Sequence, residues 1–204
     1  MNKKGLLIVV SGPSGAGKGT LCKALLAKHN NLTLSISATT RQPRRGERNR
    51  ESYYFVSEKE FTEMIRQNDF LEWAKVYDNY YGTPKKPVLD MLNSGNDVLL
   101  EIDVQGALQV KKEFSDGVFI FIFPPSIEEL KSRIKCRGTE TPEAISKRIK
   151  SVYDELKYVY EYDYIVINDN IDKAVEELSA IITAEKCKTK RNCFNIDAIR
   201  REAR

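Results

Sequence analysis

Residues 6–20 read LLIVVSGPSGAGKGT, and no other stretch of the chain limits the possible folds as sharply. The run Leu6 to Val10 is uninterrupted and aliphatic, as expected of a strand covered on both faces. It passes straight into a glycine-rich loop, and helical periodicity resumes through Leu21, Leu25 and Leu26. Strand, loop and helix in this order make a phosphate-binding loop. Gly12, Gly15 and Gly17 let the backbone turn and approach phosphate oxygens, and the following helix presents free N–H groups to the anion. Lys18 adds a mobile positive charge. The expected nucleoside triphosphate site is therefore Gly12, Pro13, Ser14, Gly15, Ala16, Gly17, Lys18, Gly19 and Thr20.

The usual pattern GxxxxGK[ST] breaks at its last position, where Gly19 replaces the hydroxyl that normally meets magnesium and Thr20 follows one residue later. Two arrangements stay open: Thr20 reaches round, or Mg²⁺ is held mostly by water and phosphate oxygens with acidic help from elsewhere. Such help is available where the run Val98 to Ile102 ends at Asp103, with Glu101 two residues earlier. Both carboxylates leave the same side of the strand near its C-terminal end, where ligands bind in open α/β sheets. Thr20, Glu101 and Asp103 are the candidate Mg²⁺ residues.

Further apolar runs, Leu34 to Ile36, Val118 to Phe123 and Tyr164 to Ile167, alternate with helical segments, which predicts an α/β fold with a mainly parallel central sheet flanked by helices. Ser57 with Glu60 and Ser126 with Glu129 have the spacing of capping boxes, and Thr141 before Pro142 marks another helix start. Gly95 and Gly138 stand where helices should stop. Two stretches interrupt the alternation. Residues 37–83 hold a polar loop, an aromatic strand, a helix and a second aromatic strand, enough for an inserted lobe, and residues 133–148 form an Arg-rich connection suited to a flap. The expectation is one domain over residues 1–204: a core of 1–36, 84–125 and 149–185, a lobe of about 37–83, a lid of about 126–148, and a tail of 186–204.

The net charge of +4 is misleading until it is located. Residues 186–204 carry seven Lys or Arg against Asp197 and Glu202, a balance of +5, which leaves the rest of the chain at −1. The body thus has no bulk field for a polyanion, and the basic tail reads as a solvated end. No stretch approaches the roughly 20 apolar residues needed to span a bilayer, and the N-terminal LLIVV is too short for a signal peptide core. A cytoplasmic protein without membrane or nucleic-acid partners is expected. Cys22, Cys136, Cys187 and Cys193 are scattered without a CxxC pair, so neither zinc nor a disulfide framework is indicated.

A second anion site is suggested by SATTRQPRRGE at residues 37–47, which gathers Arg41, Arg44 and Arg45 among hydroxyls. Composition alone fits a solvated basic loop equally well. The phosphate loop GPSGAGKGT, then SATTRQPRRGE followed by Tyr53, then FLEWAKVYDNYYGT, EIDVQG and RGTET occur in this order and at this spacing in guanylate kinases. The chain resembles that family over about residues 6–184, and the tail after residue 185 lies outside the likeness.

The resemblance implies a nucleoside-monophosphate kinase of the P-loop class, with an inserted lobe for GMP and an Arg-rich lid over ATP. It implies that Arg41, Arg44, Tyr53 and Tyr81 hold the GMP phosphate, that Ser37, Glu72, Thr83 and Asp103 face the guanine, and that Arg133, Arg137 and Arg148 reach the phosphates from the lid. The chemistry is consistent: guanine offers N1–H and its 2-amino group side by side, so one carboxylate can accept both, while Thr83 can donate to O6. Adenine presents the opposite pattern, and a site left with unpaired buried groups rejects it. The implied reaction is Mg²⁺-dependent phosphoryl transfer from ATP to GMP, and to dGMP, in purine nucleotide metabolism. Lys18, Arg41, Arg133, Arg137 and Arg148 would surround the moving group. Monomer and homodimer are both compatible with the sequence. Two alternatives stand beside this reading, a kinase for another monophosphate and a non-catalytic guanylate-kinase-like binding module.

Overall fold

In the computed structural model, residues 4–44, 46–76, 78–136 and 142–192 are described, with the side chains of 134–136, 142–145, 147 and 148 outside the description. Strands β1 (Leu7–Ser11), β2 (Leu32–Leu34), β7 (Asp97–Glu101), β8 (Val118–Phe123) and β9 (Tyr164–Ile167) form a five-stranded sheet in the order β2-β7-β1-β8-β9. Every pairing in it is parallel. Strand β1 therefore lies at the centre, and its five residues are all buried.

Strand alternation divides the core in two. Leu6, Ile8 and Val10 face helices α1 (Lys18–Lys28) and α7 (Ile171–Cys187), packing on Leu21, Leu25, Leu178 and Ile182. Leu7 and Val9 face helices α3 (Lys85–Asn93) and α4 (Val104–Glu113), packing on Val88, Leu92, Ala107 and Val110. Helices on both faces are what a parallel sheet requires, because neither side can be left to water.

A second, four-stranded sheet is inserted between β2 and α3. It comprises β3 (Ala38–Thr39), β4 (Tyr54–Phe55), β5 (Phe70–Val76) and β6 (Asn79–Pro84), in the order β4-β3-β6-β5. Helix α2 (Glu58–Arg66) closes it, with Phe61 fully buried and stacked 4.4 Å from Phe70 and 5.4 Å from Tyr80. Ser57 and Glu60 form the expected capping box. The stretch expected to hold one aromatic strand after α2 is instead the β5–β6 hairpin, and β3 was not anticipated. Aromatic residues run through both arms of the hairpin and hide its turn, while β3 is two residues within a polar segment.

Strand β2 lies two residues earlier than expected, because Leu32 to Leu34 pair with Asp97 to Leu99. Helices α5 (Ile127–Cys136) and α6 (Pro142–Leu156) pack through Leu130 and Val152. Glu129 N donates to Ser126 Oγ at the expected start of α5. The expected markers Gly138 and Thr141 lie outside the described residues. Among described helices, none is long and apolar enough to cross a membrane.

Candidate active site

The phosphate loop leaves the C-terminal end of β1, the central strand. Gly12 has φ of 140°, and a Cβ there would stand 2.3 Å from Ile122 O; Gly17 has φ of 87°, and a Cβ there would meet Asn168 Nδ2 at 2.3 Å. Neither position admits a side chain. Asn168 Nδ2 also donates to Ala16 O at 2.8 Å, which pins the loop to the residue following β9. Lys18 folds inward and donates to the carbonyls of Gly12 at 2.6 Å and Pro13 at 3.2 Å. Its ammonium pKa is held below the ordinary lysine value by burial, against the opposing pull of the Glu101, Glu155 and Asp103 carboxylates. A desolvated cation turned onto loop carbonyls is poised to exchange those partners for phosphate oxygens.

Glu101 lies beside this loop, with its carboxylate 3.3 Å from the point a Cβ on Gly19 would occupy. Burial raises its pKa, and Lys18 opposes the rise. Asp103 caps α4, its Oδ1 accepting from Gly106 N at 2.7 Å. Thr20 is exposed in the first turn of α1. Ser14 and Gly15 are half-buried along the loop.

Across from the loop, a cavity of about 230 Å³ is bounded by Ser37, Tyr53, Glu72, Tyr81, Glu101 and Asp103, so groups from both sheets meet in it. Glu72 is 7% exposed and accepts from Thr83 Oγ1 at 2.6 Å. Burial pushes its pKa up to about 7, against the hydrogen bond from Thr83. The aim of Glu72 depends on an irregularity in β5: the pairing register shifts between Phe70 and Glu72. Phe70 joins the lobe's apolar cluster and Leu71 the core cluster beneath β1, while Glu72 faces Thr83. A bulge thus distributes three consecutive residues among three surroundings.

Beside the cavity, Arg41 lies 5.5 Å from the Tyr53 ring centre and makes a two-pronged contact with Glu47 at 2.9 and 3.0 Å. Glu47 also accepts from Arg44 N at 2.7 Å, and the Arg41 hydrogen bond holds its pKa below the usual carboxylate range. Tyr53 and Tyr81 meet edge to face at 6.2 Å. The structure therefore brings Ser37, Arg41, Tyr53, Glu72, Tyr81, Thr83 and Asp103 together, and leaves the Arg44 side chain exposed nearby. Arg133 reaches the loop from α5, its guanidinium held by Glu129 at 2.9 Å and directed to Asn168 O at 3.5 Å. Arg45 and Arg137 lie outside the described residues; Arg148 is in α6, with its side chain outside the description.

A positively lined loop at the end of a central parallel strand faces a carboxylate-bearing pocket on an inserted sheet. Residues 4–185 match the sequence model of the family described as guanylate kinase. The chain belongs to the guanylate kinase family. A guanylate kinase of Caldanaerobacter subterraneus subsp. tengcongensis is 65% identical over 192 residues, 94% of this chain and 93% of that one. One from Clostridium tetani is 60% identical, covering 93% and 90%. The crystal structure of guanylate kinase from Anaplasma phagocytophilum matches with a TM-score of 0.76 at 34% identity, covering 94% of this chain and 91% of that one. Shikimate kinase from Bacteroides thetaiotaomicron, at 16% identity, 87% and 98% coverage and a TM-score of 0.53, shares the fold.

Sequence reasoning missed Asn168 and Glu47. Asn168 follows the C-terminal end of β9, the position that made Asp103 conspicuous on β7, so its place was a usable signal. Glu47 stood inside the basic motif and read as one acid among arginines; only the structure shows it bridging Arg41 and the Arg44 backbone.

Proposed function

We propose that the protein transfers the γ-phosphoryl group of ATP to GMP, and to dGMP, giving ADP and the corresponding diphosphate. The observation that carries this reading is the buried Glu72–Thr83 pair, whose carboxylate lines a cavity between the inserted sheet and the end of β7. An ionised Glu72 accepts from guanine N1–H and the 2-amino group, and Thr83 turns its hydroxyl to O6. Ser37 and Asp103 complete the base site. Arg41, Arg44, Tyr53 and Tyr81 hold the phosphate of GMP, and Arg41 gives up Glu47 for it.

A GMP phosphate oxygen attacks the γ-phosphorus in line. The new P–O bond forms as the bond to the β,γ-bridging oxygen breaks, and ADP leaves with that electron pair. No covalent enzyme intermediate is required, so alignment and stabilisation of charge do most of the work. Residues 12–20 hold the donor phosphates, Lys18 leaves the loop carbonyls for them, and Arg133, Arg137 and Arg148 come from the lid. An arginine in such a place contributes on the order of 10³ to 10⁵ in rate. Closure of lobe and lid excludes water, which competes as acceptor.

The donor set suits Mg²⁺, because a bare Gly19 leaves the Glu101 carboxylate beside the loop. Thr20, Glu101 and Asp103 would hold the ion, directly or through water, and it would neutralise charge on the phosphate oxygens. The reading places the protein in the cytoplasm, acting as monomer or homodimer on small nucleotides. An ADP-release assay over GMP, dGMP, IMP, AMP, CMP and UMP tests it. Turnover concentrated on GMP and dGMP is expected; a preference for AMP, or tight ligand binding without turnover, refutes it.

A further inference from the structure

We propose that helix α4 of the core, through Gln109 and Gly106, sets where the Glu72 carboxylate stands and thereby how the purine edge is read; this rests on the reading of Glu72 as the guanine acceptor. Strand β5 is an outer strand of the inserted sheet, so among the described residues one side of it has no neighbouring strand. At Trp73 that side is taken by a single side chain. Trp73 N donates to Gln109 Oε1 at 3.1 Å, and Gln109 Nε2 donates to Trp73 O at 3.1 Å. A primary amide carries the donor and acceptor of a peptide unit, so Gln109 serves as one residue of an extra strand.

Residue 73 directly follows Glu72, and a two-point bond to its peptide groups fixes the strand along its own axis as well as sideways. That direction matters, since a slip of one residue turns every side chain to the opposite face. Gly106 lies one helical turn before Gln109, on the same side of α4. A Cβ on it would stand 2.8 Å from Glu72 Oε2 and 3.4 Å from Asp103 Oδ1. The carboxylate therefore rests against bare backbone in the first turn of α4. One turn beyond Gln109, Glu113 receives Lys85 at 2.7 Å, and Lys85 directly follows β6. Helix α4 thus contacts the chain on β5 and again just after β6, at either end of the hairpin that carries Glu72 and Thr83.

Gln109 is a positioning residue, acting through Trp73 on Glu72. Guanine gives a well-placed carboxylate two hydrogen bonds, and hypoxanthine, lacking the 2-amino group, gives one. A displaced carboxylate keeps one contact at best, so the advantage of GMP over IMP should shrink while ATP use is spared.

The test compares wild-type protein with Gln109→Met, which is close in shape but cannot form the pair, and with Gly106→Ala, which disturbs the carboxylate by a separate route. For each, kcat and KM are measured for GMP, IMP and ATP, with hydrogen exchange at the Trp73 amide. In Gln109→Met, KM for GMP should rise about tenfold, and the GMP-to-IMP ratio of kcat/KM should fall about fivefold or more. KM for ATP should stay within about twofold, and the Trp73 amide should exchange faster. In Gly106→Ala the same ratio should fall while Trp73 exchange is unchanged. Loss of folding would show separately in a thermal melt followed by far-ultraviolet circular dichroism. A ratio unmoved in both variants overturns the proposal, as does a changed ratio in Gln109→Met with unaltered Trp73 exchange. A wild-type protein that does not favour GMP refutes the guanine reading itself, before any substitution is compared.

Discussion

Replacing Glu72 with Gln should stabilise the empty protein at alkaline pH and cripple its use of GMP, two effects of opposite sign from one atom exchange. Glu72 is buried, and its pKa is raised from the ordinary 4.5 to about 7, chiefly by desolvation. A carboxyl whose folded-state pKa lies above its unfolded value favours folding while protonated. That contribution is complete below about pH 4.5 and is lost as pH rises through about 7. Above pH 7 the ionised group therefore costs roughly 3 kcal/mol, taken from the shift at about 1.4 kcal/mol per unit. A neutral amide still accepts from Thr83 and avoids this cost. At pH 8.5 the variant should melt higher by about 5 °C or more, and the gain should fade toward pH 4.5.

Catalysis should move the other way. The amide places an NH₂ against one of the two guanine donors, which loses a charge-assisted hydrogen bond and leaves buried donors facing each other, about 3 to 4 kcal/mol together. That predicts a fall of about 10² to 10³ in kcat/KM for GMP with KM for ATP little changed. In the wild type, activity with GMP should also decline below pH 7 as Glu72 takes up a proton. The nucleotide phosphate titrates in both proteins, so the ratio of wild-type to variant kcat/KM isolates the carboxyl. Thermal melts and coupled kinetics between pH 5 and 9 read both effects. Equal melting-temperature differences at pH 5 and 8.5, or a variant that retains full kcat/KM for GMP, would refute the reasoning.

Other substitutions separate the two halves of the site. Lys18→Met should lower kcat by about 10³ or more and leave GMP binding, measured by calorimetry, nearly intact, because Lys18 belongs to the donor loop. Phe61→Ala removes a fully buried ring stacked between Phe70 and Tyr80, at a cost of about 3 to 4 kcal/mol. The damage lies within the lobe, so GMP affinity should fail at a lower denaturant concentration than ATP affinity. Glu47→Ala removes the carboxylate that the GMP phosphate must displace from Arg41, and should lower KM for GMP several-fold; because the pair is partly exposed, its loss should barely move a denaturant melt.

The donor side was legible because its physics is local. Five apolar residues, three glycines and a lysine in an unbroken run specify a buried strand, a turn and a helix start, and the structure places them at the end of the central strand. Capping at Ser57 was equally local. The acceptor side depends on where distant segments meet. The direction of Glu72 is set by a register shift beside Leu71, which no periodicity announces, and Glu72 finds Thr83 only because residues 70–84 fold back as a hairpin. Nothing in the local sequence marks Gln109; its role exists because helix α4 passes the outer edge of β5. Asn168 bonds Ala16 across 152 positions of sequence, a contact that only sheet order can bring about.

The most direct measurement of the central claim is a crystal structure with GMP and a non-hydrolysable ATP analogue bound together. The account predicts guanine N1 and the 2-amino group on the Glu72 carboxylate, the GMP phosphate on Arg41 in place of Glu47, and the γ-phosphate between Lys18 and Arg133, in line with a GMP oxygen. A purine edge turned away from Glu72, or Arg41 still held by Glu47 beneath an unbound phosphate, would contradict it.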